Sequence, residues 1–215
     1  TSGVASGPVS FLELFNDATE VVKQGGTRRG ANMGILEVSH PDIIEFIKAK
    51  TTRGRLANFN VSVAVQDAFM EAVRVGSDWE LLNPRTVETV SKVRAAEIFD
   101  LVVDSAWASG DPGIVSLDRI NENNPTAHLG PIEATNPCGE QPLLPYESCN
   151  LGSLNLVRFL DGNGNFDWEK LGKVVDLAVR FLDDVIEMNH YPLPEIRERT
   201  RQNRKVGLGI MGWAE

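Results

Sequence analysis

The residues best able to do chemistry lie in one stretch, Asn136 to Cys149, which holds both cysteines of the chain. It reads Asn-Pro-Cys-Gly-Glu-Gln-Pro-Leu-Leu-Pro-Tyr-Glu-Ser-Cys. Asn136, Cys138 and Glu140 alternate along it, and alternate residues of an extended backbone point to the same side. An amide, a thiol and a carboxyl group could therefore meet at one small reacting centre.

Three prolines make this stretch unsuitable for an ordinary helix or strand, because each removes a backbone donor and fixes φ. They are Pro137, Pro142 and Pro145. The stretch is therefore predicted to be an extended, shaped loop. Leu143, Leu144 and Tyr146 give it apolar surface to bury, which favours a loop threaded into the protein over one that projects into solvent.

The spacing of Cys138 and Cys149 matches neither the Cys-x-x-Cys of thioredoxin-like proteins nor a zinc site. An arbitrary cysteine is most often a small buried hydrophobe. A carboxylate as near as Glu140, however, disfavours the thiolate and keeps the sulfur as S–H. A protonated thiol is a poor nucleophile and a suitable donor of a hydrogen atom.

The histidines have no metal-ligand spacing among themselves, so no metal site is predicted and they are interpreted as structural or surface residues. They are His40, His128 and His190. A thiol hydrolase that uses Cys138 is an alternative, and it is disfavoured because no histidine lies in an evident supporting motif.

Composition narrows the class of protein. The chain has 215 residues, of which 42% are hydrophobic and 24% charged, enough for a sizeable core and one or two domains. A net charge of -9 argues against a nucleic-acid polymer or an anionic membrane as partner. Two cysteines are too few for a secreted disulfide scaffold, and no apolar run is long enough for a signal peptide or membrane span, so a reducing cytoplasm is expected.

The elements that must position the candidate residues alternate between helices and short strands. Apolar periodicity predicts helices at residues 11–22, 42–50, 67–75 and 91–109, and one that begins after an N-cap at Asp167. Strands are predicted at residues 33–38, 58–65, 79–82 and 114–117. Residues 121–137 are rich in Asn, Pro and Gly, which predicts a loop leading into the cysteine stretch. This alternation favours an α/β fold.

A second candidate site is Gly25 to Gly30, Gly-Gly-Thr-Arg-Arg-Gly. Glycine-rich loops with basic residues can hold phosphates through backbone N–H groups and charge. The alternative is a helix stop followed by exposed arginines. No strict phosphate-loop pattern is present, so the residues by themselves leave both interpretations open.

Several motifs together resemble the large chains of ribonucleotide reductases, above all the adenosylcobalamin-dependent class II enzymes. The likeness rests on Asn136–Glu140 with the Gln-Pro-Leu that follows, and on the run Glu-Ser-Cys-Asn-Leu-Gly-Ser-Leu-Asn-Leu. Further similar segments, in the same order, are residues 3–11, 25–34, 58–63, 189–196 and 204–212. Separated motifs in one order are far more specific than Asn-x-Cys-x-Glu alone.

The resemblance implies radical chemistry on the ribose of a ribonucleotide. Cys138 would be the thiyl radical that takes the 3'-hydrogen, Glu140 the general base for the 3'-hydroxyl, and Asn136 the amide that holds the hydroxyls. Cys149 would be one of two reducing thiols that end as a disulfide. Its partner would lie earlier in the parent protein, because no cysteine precedes Cys138 here.

The resemblance also assigns the glycine-rich segment. It looks like the loop that relays the identity of an effector to the substrate base, which gives effector or specificity roles to Lys23, Gln24, Arg28 and Arg29. The implied effector is a deoxynucleotide or ATP.

The implied fold is the ten-stranded α/β barrel of the reductase and glycyl-radical families, with the cysteine stretch on a central finger loop. Residues 1–215 would be an internal fragment of the catalytic barrel domain, with the N- and C-terminal parts of the parent absent. The implied cofactor is adenosylcobalamin, with no contacts assigned, and the full-length enzyme would use a thioredoxin-like reductant and is compatible with a homodimer. Diphosphate and triphosphate substrates both remain open.

Two alternatives share part of this interpretation. One is the large subunit of a class I reductase that works with a separate metal-bearing subunit, although the sequence motif Pro-Cys-Gly-Glu favours class II. The other is a catalytically silent nucleotide-binding relative. It is disfavoured because the chain has all four candidate catalytic residues, Asn136, Cys138, Glu140 and Cys149.

Overall fold

The structure is a computed structural model that describes residues 6–22 and 30–214. The chain divides into two units, Thr1–Pro142 and Leu143–Glu215, and helices and strands alternate in both. The predicted mixed α/β character is therefore confirmed. Among the described residues the sheets have two or three strands each, and none closes into a barrel.

The first unit is built on a parallel sheet with helices between its strands. In chain order its elements are α1 (Gly7–Val21), β1 (Asn32–Glu37), α2 (Ile43–Lys48), β2 (Phe59–Val65), α3 (Asp67–Val75), β3 (Asp78–Leu82), β4 (Thr89–Arg94), α4 (Ala95–Ser109), β5 (Gly113–Ser116), α5 (Leu117–Glu122), a 3-10 turn (Ala127–Leu129) and β6 (Ala134–Thr135). The order of the three parallel strands is β1-β2-β5. The short strand β7 (Pro142–Leu143) leads into the second unit.

The core of the first unit surrounds β2. Every residue of this strand except Asn60 is buried, so the strand is covered on both faces, as parallel strands flanked by helices are. The alternation of apolar residues in the sequence of residues 58–65 indicates only one buried face. Helices α2, α3 and α4 contribute Phe46, Phe69 and Ile98, each at most 1% exposed. Burial on this scale holds β2 in a fixed position within the core.

Strands β3 and β4 form an antiparallel hairpin that the helical periodicity of residues 91–109 missed. Val93 pairs with Trp79 and Lys92 with Glu80, so the segment before Ala95 is extended and α4 begins four residues later than predicted. Pairing with a neighbouring strand outweighs the helical preference of a short segment.

The second unit pairs two parallel strands against two helices. Its elements are β8 (Asn150–Asn155), a 3-10 turn (Leu156–Phe159), α6 (Trp168–Met188), α7 (Pro194–Asn203) and β9 (Val206–Met211). Asn150 lies opposite Val206 at the start of the β8–β9 ladder. The predicted N-cap is confirmed, because the Asp167 carboxylate accepts a hydrogen bond of 2.9 Å from the Lys170 N–H. None of the helices in residues 6–22 and 30–214 is long and apolar enough to cross a membrane.

Candidate active site

Cys138 lies in a tight turn between β6 and β7. The Gly139 N–H donates to the Asn136 carbonyl at 3.0 Å, and Gly139 adopts a φ of 84°, a left-handed backbone that favours glycine. The expectation of extended chain from Asn136 to Glu140 is wrong. Asn at the first position, Pro at the second and Gly at the fourth are the residues that a β-turn prefers.

The Asn136 side chain holds this turn closed. Its Oδ1 accepts a hydrogen bond of 3.0 Å from the Gln141 N–H, and its own backbone N–H donates to the Gln141 carbonyl at 3.1 Å. Because a backbone N–H needs an oxygen acceptor, Oδ1 faces the turn. The amide Nδ2 is then the end of Asn136 that could donate to a ligand.

The tip of the turn is open to solvent. Cys138, which carries a free thiol, and Glu140 are both exposed. Of the apolar residues predicted to bury the loop, Leu144 is 3% exposed but Tyr146 is 59% exposed. The apolar anchoring is therefore only partial, and both reactive side chains are accessible to a ligand.

Asn60, which the sequence interpretation left out of the site, contacts the cysteine turn. From β2 its side chain Nδ2 donates to the carbonyl of Pro137, the residue before Cys138. In the sequence Asn60 is only a polar residue within a predicted strand, and its exposure in an otherwise buried strand is visible in the structure alone. Asn60 therefore connects the rigid sheet to the turn that carries the thiol.

The position of Asn60 is fixed in turn by an ion pair at the start of β2. Lys50 Nζ lies 2.7 Å from Asp111 Oδ2, and the two side chains are 15% and 18% exposed. Lys50 also donates to the Phe59 carbonyl, while the Val61 N–H donates to Asp111 Oδ1 at 3.2 Å. Both neighbours of Asn60 in the strand are thus bonded to the pair.

Cys149 lies in the second unit, immediately before β8. Its Sγ is 3.5 Å from the Asn150 carbonyl, within hydrogen-bond range for a thiol donor. The half-buried side chain lines a small cavity of about 110 Å³ with Ser148, Tyr191 and Thr200 among its polar walls. The thiol therefore faces a confined, partly polar space.

Glu147 is a buried carboxylate two residues before Cys149 that the sequence interpretation did not single out. It accepts hydrogen bonds from the Leu144 N–H at 2.8 Å, from Asn203 Nδ2 at 2.6 Å and from Lys205 Nζ at 2.7 Å. Burial opposes its ionisation, but the hydrogen bonds from Lys205, Leu144 and Asn203 outweigh burial and hold the pKa of Glu147 below its ordinary value. It is an ionised group inside the protein.

The predicted effector residues Lys23, Gln24, Arg28 and Arg29 lie outside the described residues. A groove of about 480 Å³ is lined by residues that flank this segment in the sequence. Val22 precedes the segment and Asn32 follows it. Most of its other walls are apolar residues of α1, β1 and β2.

Within the part of the chain that the structure describes, no group of three His, Cys, Asp or Glu side chains could hold a metal ion. His40 has a local structural contact, since its Nδ1 accepts a hydrogen bond of 3.0 Å from the Asp42 N–H.

Comparison with known proteins identifies the class. Across residues 1–215 the chain matches the family model described as ribonucleotide reductase, barrel domain, and it belongs to that family. The resemblance predicted from the motifs is confirmed.

The names of individual relatives include a cofactor, vitamin B12. The chain is 52% identical to a Thermoplasma acidophilum protein and 56% identical to a Mycobacterium tuberculosis protein, both named vitamin B12-dependent ribonucleoside-diphosphate reductase. It is 39% identical to the vitamin B12-dependent ribonucleotide reductase of Streptomyces coelicolor. The alignments cover 100%, 100% and 97% of this chain but only 28%, 31% and 24% of the relatives. The chain thus spans less than a third of the length of these proteins.

Proposed function

We propose that residues 1–215 form part of the catalytic barrel of an adenosylcobalamin-dependent ribonucleotide reductase. The observation that carries the proposal is an accessible Cys138 thiol on a turn braced by Asn136, in a chain 52% to 56% identical to proteins named vitamin B12-dependent ribonucleoside-diphosphate reductase. Those names also favour ribonucleoside diphosphates as substrates. The parallel strands β1-β2-β5 and β8-β9 would supply part of a ten-stranded barrel.

The described residues fit the cofactor in one respect. A thiol that is to lose a hydrogen atom must be reachable, and Cys138 is exposed at the tip of its turn. When bound, adenosylcobalamin supplies the radical character that turns this thiol into a thiyl. Cys138 is the residue that we place against the cofactor, and no other contact is assigned.

The chemistry of the first half-reaction needs three groups of the turn. The Cys138 sulfur takes the 3'-hydrogen atom, so that an S–H bond forms and the ribose C3'–H bond breaks. Glu140 accepts the proton of the 3'-hydroxyl, and Asn136 Nδ2 donates to the ribose hydroxyls. The 2'-hydroxyl then leaves as water with a proton from one of the two reducing thiols. The proton held by Glu140 returns to the 3'-oxygen, and Cys138 returns the hydrogen atom to C3'.

Reduction of the resulting radical needs two thiols. We assign Cys149 as one of them. The second must come from outside these 215 residues, because the chain contains only two cysteines and Cys138 is already used. Overall, one ribonucleotide and two thiols give one deoxyribonucleotide, one disulfide and one water. A thioredoxin-like protein would then reduce the disulfide.

The segment from Lys23 to Arg29 would relay effector identity to the substrate base. Support comes from its flanks, since Val22 and Asn32 border the groove beside α1. A deoxynucleotide or ATP is the proposed effector, and Lys23, Gln24, Arg28 and Arg29 are the proposed contacts.

The test uses the complete enzyme with adenosylcobalamin, a dithiol and a ribonucleoside diphosphate, with deoxynucleotide as the measured product. Wild type should turn over without a second protein subunit, which would also exclude the class I alternative. Cys138→Ser should abolish both product and the loss of tritium from 3'-labelled substrate to water. Cys149→Ser should abolish turnover with dithiol and retain the tritium loss. Deoxynucleotide formation by Cys138→Ser would refute the assignment.

A further inference from the structure

We propose that Glu147 is a positioning residue that holds the Cys149 thiol in place for reduction. This inference rests on the proposed function, because it concerns the two-electron step assigned to Cys149. It begins from the way in which the chain around that cysteine is held.

Three residues around Cys149 in sequence are bonded to α6, to α7 and to the chain between α7 and β9. Glu147 accepts from Asn203 at the end of α7 and from Lys205 before β9. The Ser148 hydroxyl lies 2.7 Å from the Thr200 hydroxyl of α7. On the other side, Asn150 Nδ2 donates to the Leu182 carbonyl of α6 at 2.7 Å. Cys149 is the residue in the middle of this frame.

Glu147 contributes a buried carboxylate to the frame. Its side chain is fully buried, whereas that of Lys205 is 19% exposed. The Leu144 N–H donates to the Glu147 carboxylate, and the Glu147 N–H donates back to the Leu144 carbonyl at 3.0 Å. This reciprocal pair closes a turn that carries Ser148 and Cys149 at its end.

The carboxylate therefore satisfies donors from two directions. It ties the turn before Cys149 to the chain that enters β9, whose Val206 pairs with Asn150 at the start of β8. Loss of the charge removes the ion pair between Glu147 and Lys205, and the turn is then held less firmly to the chain that enters β9.

Such a frame matters for a thiol that must meet a substrate radical. A displacement of about 1 Å in a reacting group can cost on the order of 100-fold in rate, even when the mutated residue touches no reactant. Glu147→Gln keeps the size of the side chain and removes its charge, so the expected loss in the rate of reduction is about 10- to 100-fold.

The experiment measures two steps in the complete enzyme. Deoxynucleotide formation from enzyme with pre-reduced thiols reports the step that uses Cys149. Tritium loss from 3'-labelled substrate reports the Cys138 step. We expect Glu147→Gln to slow the first by about 10- to 100-fold and to leave the second within about twofold of wild type.

The matched control is Glu169→Gln on α6. Glu169 also forms a 2.7 Å ion pair, with Lys173, but the two side chains are 82% and 74% exposed. This variant should leave both steps unchanged.

Two outcomes overturn the proposal. Equal losses in both steps would mean that Glu147 acts on the fold in general, and wild-type rates of deoxynucleotide formation in Glu147→Gln would mean that it positions nothing. If Glu147→Gln does not fold, Ser148→Ala is tested in the same two assays, and it must show the same selective loss. A wild-type enzyme that forms no deoxynucleotide would instead refute the proposed function itself.

Discussion

Replacement of Lys50 with methionine should loosen the start of β2 and, through Asn60, the turn that carries Cys138. Methionine keeps most of the aliphatic length and removes the ammonium group, so packing changes little. What is lost is the ion pair with Asp111 and the bond to the Phe59 carbonyl. Asp111 then remains as a largely buried carboxylate without its counter-charge.

The size of the effect follows from the burial of the pair. Removal of one partner from a buried ion pair costs about 3–5 kcal/mol. Side chains that are 15% and 18% exposed retain some water, which places this pair near the lower end, at about 3 kcal/mol. Because 1.4 kcal/mol is a factor of ten, local opening should become about 150-fold more frequent.

The assay is hydrogen exchange followed by mass spectrometry in the complete enzyme, read on peptides that cover residues 58–65. The Val61 amide is the best reporter, since it donates to Asp111 itself. Lys50→Met should speed its exchange by about 150-fold under conditions where opening is a rapid pre-equilibrium. Lys92→Met is the control, because Lys92 also pairs at 2.7 Å, with Glu80, but both side chains are about half exposed.

A second variant separates the charge from the contact. In Lys50→Met with Asp111→Asn, the neutral amide can still accept from Val61 and no buried charge is left over. The double variant should therefore exchange more slowly than Lys50→Met alone. An exchange rate in Lys50→Met within about threefold of wild type would refute the assigned cost. The Asp111→Asn variant is measured as well. The reasoning would also be refuted if the loss of local stability in the double variant equalled the sum of the losses in Lys50→Met and Asp111→Asn.

Three other perturbations test other parts of the structure. Asn60→Ala should lower deoxynucleotide formation by about tenfold while exchange in β2 stays unchanged, since the lost bond reaches only the Pro137 carbonyl. The pKa of Glu147 is lowered, so the stability that this carboxylate contributes should be complete above pH 4.5 and should fall as the pH drops through its pKa in the folded protein. Amide exchange of residues 143–150, corrected for the intrinsic pH dependence of exchange, should therefore become faster on acidification. Asp167→Ala should destabilise the first turn of α6 by about 1 kcal/mol, read as roughly fivefold faster exchange there, and unchanged exchange would contradict the N-cap.

The parts of the fold that could be predicted are those where local pattern and tertiary environment agree. The helix-strand order from α1 to α3 followed from periodicity within one or two turns of chain. The prediction of a helix at residues 91–94 was wrong because these residues pair with a strand across a hairpin. Strand pairing rather than helix propensity decides the structure of such a segment. Phe181 is an apolar residue within the predicted helix α6 and is nevertheless 66% exposed, which periodicity alone cannot indicate.

The candidate site shows the same division. Cys138 and Cys149 could be named from motifs, and the turn at Asn136 could have been read from its Asn-Pro-x-Gly order. Glu147 could not, because its partners Asn203 and Lys205 are 56 and 58 residues away in the sequence. A buried carboxylate and an exposed one look alike until the chain is folded.

The two thiols are held in ways that suit the steps proposed for them. Cys138 lies on an exposed turn that is held by the hydrogen bonds of Asn136 within the turn and by the hydrogen bond from Asn60 of β2. The turn is thereby attached to the sheet while the Cys138 sulfur stays accessible. Cys149 lies in a frame built around the buried Glu147 carboxylate, where small displacement is resisted from several sides. A thiol that exchanges one hydrogen atom and recovers it needs access first. A thiol that must form a bond to a second sulfur needs a fixed position, and for that reason the Glu147 and Asn60 variants should fail at different steps.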